Sequence, residues 1–322
     1  MGVDALVARE VRKSYRIRGG APVLALNGVS LSVRPGERYA LLGRNGAGKT
    51  TFLRIASTLL VPSGGAVEIF GKDAIGSPES VRGLLAVVPQ EGRPFFHLTP
   101  REQVYTYLRA RGLPRGTAKD RTEESLAQMG LGEVADRLST TLSGGQRQRT
   151  MVATVIATEA PLLFLDEPTI GMDPFARRAV WESFRGLSRK GSTILLTTHY
   201  LDEAEALSQR LAIIDRGRVL VEGTAAALKE QVGGAFRVSI SPGPSLREEL
   251  AGLGTIVEDA EGVSVITGPE RVPEILGIAL RARRTATVGP VTLEEAFLRA
   301  VGHSIHEDAE GAAALRSSPM AP

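Results

Sequence analysis

Arg38-Tyr39-Ala40-Leu41-Leu42 reads as a short apolar strand, and it runs straight into Gly43-Arg44-Asn45-Gly46-Ala47-Gly48-Lys49-Thr50 before a helical pattern over residues 51–60. A strand, a glycine-rich loop ending in Lys-Thr, and a helix in that order form a phosphate-binding loop. The glycines let backbone N–H groups turn inward around phosphate oxygens, and the helix N-terminus adds its partial positive charge. Lys49 is placed to reach the outer phosphates, and the Thr50 hydroxyl to ligate Mg²⁺. A nucleoside triphosphate is the ligand this arrangement predicts.

The flanking sequence sets the fold class. Residues 6–11 and 26–33 alternate like strands, with turns at Gly19-Gly20 and Pro35-Gly36. Residues 99–132 turn helical, broken by Gly112 and Pro114. Strands at 162–165, 193–197 and 211–214 then alternate with helices at 176–187 and 201–207. Such alternation predicts an α/β domain, a mostly parallel sheet covered on both faces. Past Gly233-Gly234 the pattern changes to strands at 236–240 and 263–266 and helices at 246–253, 271–281 and 292–301. We therefore expect a nucleotide-binding domain over residues 1–232, a small α+β accessory domain over 233–302 joined by a glycine hinge, and a disordered tail over 303–322, rich in Ala, Ser, Pro and acidic residues.

Composition narrows the function classes. The 322 residues are 43% hydrophobic and 23% charged, which is the balance of a globular protein with room for a large core. No apolar run is long enough to span a bilayer, and the N-terminal residues lack the basic and apolar regions of a secretory signal. There is no cysteine, which excludes disulfides and thiolate metal sites, and together with the missing signal it points to the cytoplasm. A net charge of +3 does not call for nucleic acid, and none is expected as a partner.

A second site follows from Leu162-Leu163-Phe164-Leu165-Asp166-Glu167. A buried-type strand ending in two carboxylates puts them at the sheet edge where α/β proteins bind ligands. Alone, Asp166 reads as a helix cap. With a phosphate loop upstream, one carboxylate is expected to hold Mg²⁺ and the other to orient or deprotonate the attacking water.

The chain resembles the ABC ATPases, on a set of motifs in one order. Leu142-Ser143-Gly144-Gly145-Gln146-Arg147-Gln148-Arg149 resembles their signature motif, Val88-Pro89-Gln90 the Q-loop, Gly171-Met172-Asp173-Pro174 the D-loop with Met172 where Leu is usual, and Thr197-Thr198-His199 the switch histidine. The resemblance covers residues 6–228. It implies a P-loop NTPase core of the ABC ATPase type with an inserted helical subdomain. It implies ATP held by Tyr15 stacking on adenine, by Gly43 to Thr51 (Gly43, Arg44, Asn45, Gly46, Ala47, Gly48, Lys49, Thr50, Thr51), by Asp173, and by Ser143, Gly144 and Gly145 of a second subunit. Mg²⁺ would sit among Thr50, Gln90 and Asp166, and Lys49, Gln90, Glu167 and His199 would serve catalysis. On the residues alone, Ser143 also reads as a plain N-cap and Tyr15 as an ordinary strand aromatic. His97 has no matching role.

Three further stretches resemble ATPases of ABC-2-type exporters, including the daunorubicin-resistance group: Tyr200-Leu201-Asp202-Glu203-Ala204-Glu205, Asp215-Arg216-Gly217-Arg218, and Thr292-Leu293-Glu294-Glu295-Ala296-Phe297-Leu298. The resemblance implies a homodimer that works with an integral membrane permease at the cytoplasmic face of the cell membrane. The alternative is a non-transport ABC ATPase in a soluble macromolecular complex. One phosphate loop, one signature, and too short a 71–141 segment for a long coiled coil count against the translation-associated and chromosome-associated forms of that alternative. Phe95, Phe96 and Leu98 read equally as an exposed docking patch or as core of the helical segment.

Overall fold

The structure, a computed structural model, describes residues 2–16, 21–90, 92–232, 235–259 and 262–302. The Gly19-Gly20 turn, the Gly233-Gly234 hinge and the 303–322 tail lie outside the described residues. The chain packs into two compact units, Met1–Val219 and Leu220–Pro322.

The first unit begins with β1 (Leu6–Tyr15), β2 (Val23–Val33), β3 (Arg38–Leu42), α1 (Lys49–Ala56), β4 (Gly64–Ile69), β5 (Lys72–Asp73), α2 (Glu79–Arg82) and β6 (Leu85–Val88). Three helices follow, α3 (Pro100–Ala110), α4 (Arg115–Gln128) and α5 (Gly144–Ile156). The chain then returns through β7 (Leu162–Asp166), α6 (Pro174–Arg189), β8 (Thr193–Thr198), α7 (Leu201–Leu207), β9 (Arg210–Asp215) and β10 (Arg218–Gly223), the last strand straddling the end of the unit.

The strands of this unit form two sheets, one of them the expected parallel sheet. β9, β3, β8, β7 and β6 lie side by side and parallel, and every residue of β7 and β8 is buried. That burial explains their unbroken apolar character, since a parallel strand is covered on both faces. The first two strands instead join β4 and β5 in a separate antiparallel sheet ordered β2-β1-β4-β5. Its inner residues, among them Leu6, Val11, Leu26, Val29 and Val67, share one core with Tyr39, Phe52, Leu53, Phe164 and Leu195, so α1 is packed between the two sheets.

Helix ends follow local chemistry. Thr99 and Glu102 form a capping box at α3, with Pro100 in the first turn. The helix expected over 51–60 starts earlier, at Lys49, and ends at Ala56, because Thr58 turns left-handed (φ 63°) and the N–H groups of Leu59 and Leu60 fold back onto the Arg54 carbonyl.

In the second unit, α8 (Ala225–Glu230) precedes β11 (Phe236–Ile240), α9 (Arg247–Leu250), β12 (Thr255–Asp259), β13 (Gly262–Thr267), α10 (Val272–Arg281), β14 (Ala286–Pro290) and a helix over residues 293–302. The strands form an antiparallel sheet ordered β12-β13-β11-β14, with Val238, Ile240, Val263 and Val265 facing Ile275 and Ile278 of α10. This is the expected α+β arrangement. The helix expected over 246–253 is one turn long, since Ala251 is already extended and Gly252 follows with a positive φ of 82°.

Gly217 braces the phosphate loop from behind. Its N–H donates to the Ala47 carbonyl at 2.9 Å and its carbonyl accepts from Asn27 N–H at 2.8 Å. Its φ is +75°, and an added Cβ would lie 2.6 Å from Ala25 O and 2.8 Å from Leu26 Cα, both backbone atoms. Gly217→Ala is therefore expected to destabilise the first unit by about 2 kcal/mol or more, which thermal unfolding should record as a drop of roughly 4–8 °C.

Candidate functional site

Four adjacent parallel strands end on the same edge, and each hands the chain to a predicted site residue. β3 leads into Gly43, β6 reaches Val88 two residues before Gln90, β7 ends at Asp166 with Glu167 next, and β8 ends at Thr198 with His199 next. The register aligns these ends, with Leu42 beside Thr198, Asp166 beside Thr197, and Val88 beside Leu165. The sheet order thus gathers residues from Gly43 to His199 in one crevice at the carboxyl edge, where open α/β sheets bind ligands.

The loop itself is shaped by close backbone approach. Gly48 takes φ 107°, and a Cβ there would meet Ala25 O at 2.6 Å, so no other residue fits. Lys49 is buried, and its ammonium donates to the carbonyls of Gly43 at 2.8 Å and Arg44 at 3.1 Å. Glu167 Oε1 lies 3.7 Å from it. Burial holds the Lys49 pKa below the usual lysine range, opposed by the neighbouring Glu167 and Asp166. Arg44, Asn45 and Gly46 form the exposed rim of the loop, while Ala47 is buried and Thr51 half-buried on α1.

Thr50, Gln90 and Asp166 converge. Thr50 Oγ1 is 3.1 Å from Gln90 Oε1 and 3.2 Å from Asp166 Oδ1, and Gln90 Nε2 donates to Glu167 Oε2 at 3.4 Å. Burial raises the Asp166 pKa, against hydroxyl donors from Thr197 and Thr50. Lys49, Asp166 and Glu167 together carry one excess negative charge in a buried place. Three oxygens that hard, beside that charge, suit Mg²⁺, which takes few protein ligands and keeps its remaining positions for water and phosphate. Among the described residues no group of three His, Cys, Asp or Glu side chains could hold a metal, so an ion here depends on the threonine and glutamine oxygens.

Glu167 has φ +49°, a left-handed conformation that costs about 1–2 kcal/mol in a non-glycine residue. Its N–H donates to the Thr197 carbonyl at 3.1 Å and to Thr197 Oγ1 at 3.2 Å, which fixes the turn. His199 Nδ1 lies 3.1 Å from Glu167 Oε1 but is out of line for a hydrogen bond and makes none. Strain and an unsatisfied imidazole nitrogen sit at the same spot, on either side of one carboxylate.

The remaining predicted residues lie elsewhere. Ser143 caps α5 in a capping box, accepting from Gln146 N–H at 3.2 Å while Gln146 Oε1 accepts from Ser143 N–H at 2.8 Å. The cap uses an acceptor lone pair and leaves the hydroxyl proton available, and Ser143 and Gly144 are exposed at this helix N-terminus. Gly144 lines an open groove of about 640 Å³ with Gln90, Arg93, Arg147, Gln148 and Ile170. Among the described residues no hydrogen bond or ion pair joins Ser143, Gly144 or Gly145 to Lys49, Thr50, Asp166, Glu167 or His199. Asp173 is likewise a cap, accepting from the N–H groups of Phe175 at 2.9 Å and Ala176 at 3.0 Å; these bonds, Ala176's foremost, depress its pKa. The Tyr15 ring is 39% exposed at the end of β1, with Lys13 Nζ 5.5 Å from its centroid. Thr197 received no role from the sequence, although it donates to Asp166 and holds the Glu167 turn; its place directly before the switch-histidine pair was the available signal.

A phosphate loop facing a buried carboxylate pair across parallel strands defines a P-loop nucleotide-hydrolysing protein. The ABC transporter family profile matches residues 26–170. The chain is 39% identical to the daunorubicin/doxorubicin resistance ATP-binding protein of Streptomyces peucetius, over 87% of this chain and 88% of that one. It is 35% identical to the Nod factor export ATP-binding protein I of Burkholderia orbicola, over 95% and 100% of the two chains. A solved ATP-binding subunit of an ABC transporter superposes with a TM-score of 0.64 at 31% identity, covering 71% of this chain and 93% of that one. A dimeric ATP-binding cassette in a post-hydrolysis state with ADP and Pi gives 0.64 at 25% identity, covering 68% and 98%. The protein belongs to the ABC transporter family, and it is an ATPase subunit of that family.

Lys49 carries the only ammonium in the buried cluster just described, so Lys49→Ala is expected to weaken ATP binding at least ~100-fold, read by equilibrium titration with a fluorescent nucleotide. Near-normal affinity would remove the phosphate-loop assignment.

Proposed function

We propose that this chain hydrolyses ATP at the cytoplasmic face of a membrane to drive export of a drug, lipid or other amphipathic compound through a separate ABC-2-type permease. No helix among the described residues is long and apolar enough to cross a membrane, so force has to pass to another chain. The observation that carries the reading is the exposure of Phe95 and Phe96, at 69% and 58%, immediately beyond Gln90. Two adjacent exposed phenylalanines favour a docking patch over core packing, while Leu98 is half-buried. The relatives named for drug resistance and Nod factor export support the direction of transport. The ATPase domain of this reading is residues 1–232 and the accessory domain 233–302.

The residue roles follow from charge and position. Tyr15 stacks on adenine, a contact worth roughly 1–3 kcal/mol. Backbone N–H groups of the loop and Lys49 hold the phosphates, and Thr50, Gln90 and Asp166 hold Mg²⁺, which neutralises phosphate charge when bound. Glu167 orients the attacking water and takes its proton, and His199 donates to the γ-phosphate. Ser143, Gly144 and Gly145 close over the phosphates held by a second copy, whose approach also brings Asp173 to the site. The dimeric cassettes among the structural neighbours support that arrangement.

Two experiments test this. Glu167→Gln keeps the shape and removes the base, so hydrolysis is expected to fall by about 100-fold or more with ATP binding retained, and an ATP-dependent dimer to accumulate on size-exclusion chromatography. Wild-type turnover would give the water to another group, and persistent ATP-bound monomer would count against the sandwich. The absence of native cysteine permits single-cysteine cross-linking. Phe95→Cys, co-expressed with the permease of the neighbouring gene, should cross-link to its cytoplasmic loops, while a cysteine at the equally exposed Val61 should not. A chain that never fractionates with membranes and cross-links to nothing from position 95 ends the transporter reading and leaves the ATPase intact.

A further inference from the structure

Glu203 sits on α7 with 0% exposure, outside the set of residues given a role above. Its Oε1 accepts two hydrogen bonds, from Thr169 Oγ1 at 2.7 Å and from the Trp181 indole Nε1 at 3.2 Å. Its Oε2 has no hydrogen-bond partner. A fully buried carboxylate with one oxygen unsatisfied is costly, and a helix needing only a packed face is better served by leucine. The position of the two donors explains what the carboxylate is for.

Thr169 lies two residues beyond Glu167, in the loop that leaves β7. Glu203 lies four residues beyond His199, on the helix that follows β8. Trp181 belongs to α6, which connects the two. One carboxylate oxygen therefore joins the segment carrying Glu167 to the segment carrying His199 and braces both against α6. The segment needs bracing. Glu167 is left-handed, and the turn after it is held by Ile170 N–H to the Glu167 carbonyl and Met172 N–H to the Thr169 carbonyl, both at 3.2 Å. The Thr169–Glu203 bond fixes the far end of that turn. On the other side, Arg177 stacks over the Tyr200 ring at 4.1 Å and lies 3.6 Å from Asp202, two further contacts between α6 and the start of α7.

We propose that Glu203 is a positioning residue for hydrolysis, setting the relation of the Glu167 carboxylate to the His199 ring without touching nucleotide. The inference rests on the roles proposed for Glu167 and His199. It requires an acceptor oxygen at this position and not a charge, because the second oxygen is unused. Trp181, the sole tryptophan of the chain, reports on the bond by its fluorescence.

Three variants of the full-length chain test it, each assayed for steady-state ATP hydrolysis with Mg²⁺. Thr169→Val removes one hydroxyl at constant size, Glu203→Leu removes the acceptor, and Glu203→Gln keeps one oxygen for both donors. Thr169→Val and Glu203→Leu are expected to lower kcat about tenfold with KM for ATP changed by less than about twofold, since an interaction acting on the catalytic groups alone is felt in turnover. Glu203→Gln should recover most of the loss, and Trp181 emission should shift in Glu203→Leu but not in Glu203→Gln. Wild-type kcat in Thr169→Val overturns the proposal, and so does a rise in KM at unchanged kcat, or a Glu203→Gln enzyme as impaired as Glu203→Leu. Should Glu203→Leu not fold, Thr169→Val decides. Glu167→Gln run alongside separates the two failures: if it turns over normally, the role of Glu167 falls and the inference with it, whereas an inactive Glu167→Gln beside a normal Thr169→Val overturns the positioning role alone.

Discussion

Lys49, at the start of α1, is buried with Asp166 and Glu167, at the carboxyl end of β7, the ammonium lying 3.7 Å from the nearer glutamate oxygen. Burying three ionisable groups is expensive unless each is paired or hydrogen-bonded, and here the surrounding architecture meets that requirement. Loop carbonyls of Gly43 and Arg44 accept from the ammonium, and hydroxyls of Thr50 and Thr197 donate to Asp166. The partners come from β3, α1, β7 and β8, so the cluster forms only when those strands stand in their observed order. The cluster keeps a net negative charge, which an incoming divalent cation offsets.

Much of the remaining structure keeps that cluster in shape. The antiparallel sheet presses on the phosphate loop through Ala25, so closely that Gly48 and Gly217 have no room for a side chain. Gln148 on α5 donates to the Pro168 carbonyl at 3.2 Å, tying the signature helix to the turn after Glu167. Glu203 ties the same turn to α7. The strained Glu167 backbone is thus surrounded on several sides by bonds that hold it, the condition under which an unfavourable conformation persists at a reactive position.

The surfaces proposed to meet other chains have a different character. Ser143 and Asp173 satisfy their own helix ends and are exposed, and Gly144, next to Ser143, lines an open groove. Their capping and their proposed ligand roles are compatible, because a cap uses an acceptor lone pair and leaves the serine proton free. Phe95 and Phe96 stand exposed a few residues past Gln90, and an isolated subunit has nothing to gain from two phenylalanines in water.

The sequence by itself determined the chemical vocabulary: the phosphate loop, the carboxylate pair, the signature serine and glycines, and the alternation of strand and helix around them. These are encoded between neighbours along the chain, in glycine spacing, apolar periodicity and cap residues, so they are legible without distances. It left the partition of the strands open, because the alternating pattern of residues 6–11 and 26–33 says that a strand is half-buried and not which sheet it joins. Only the tertiary structure decided that Gln90 and Glu167, 77 residues apart, come within hydrogen-bond distance, that Phe95 and Phe96 lie outside the core, and that Glu203 holds Thr169. Those facts depend on sheet order and register, which arise from packing between segments distant in sequence, and no local pattern of residues records them.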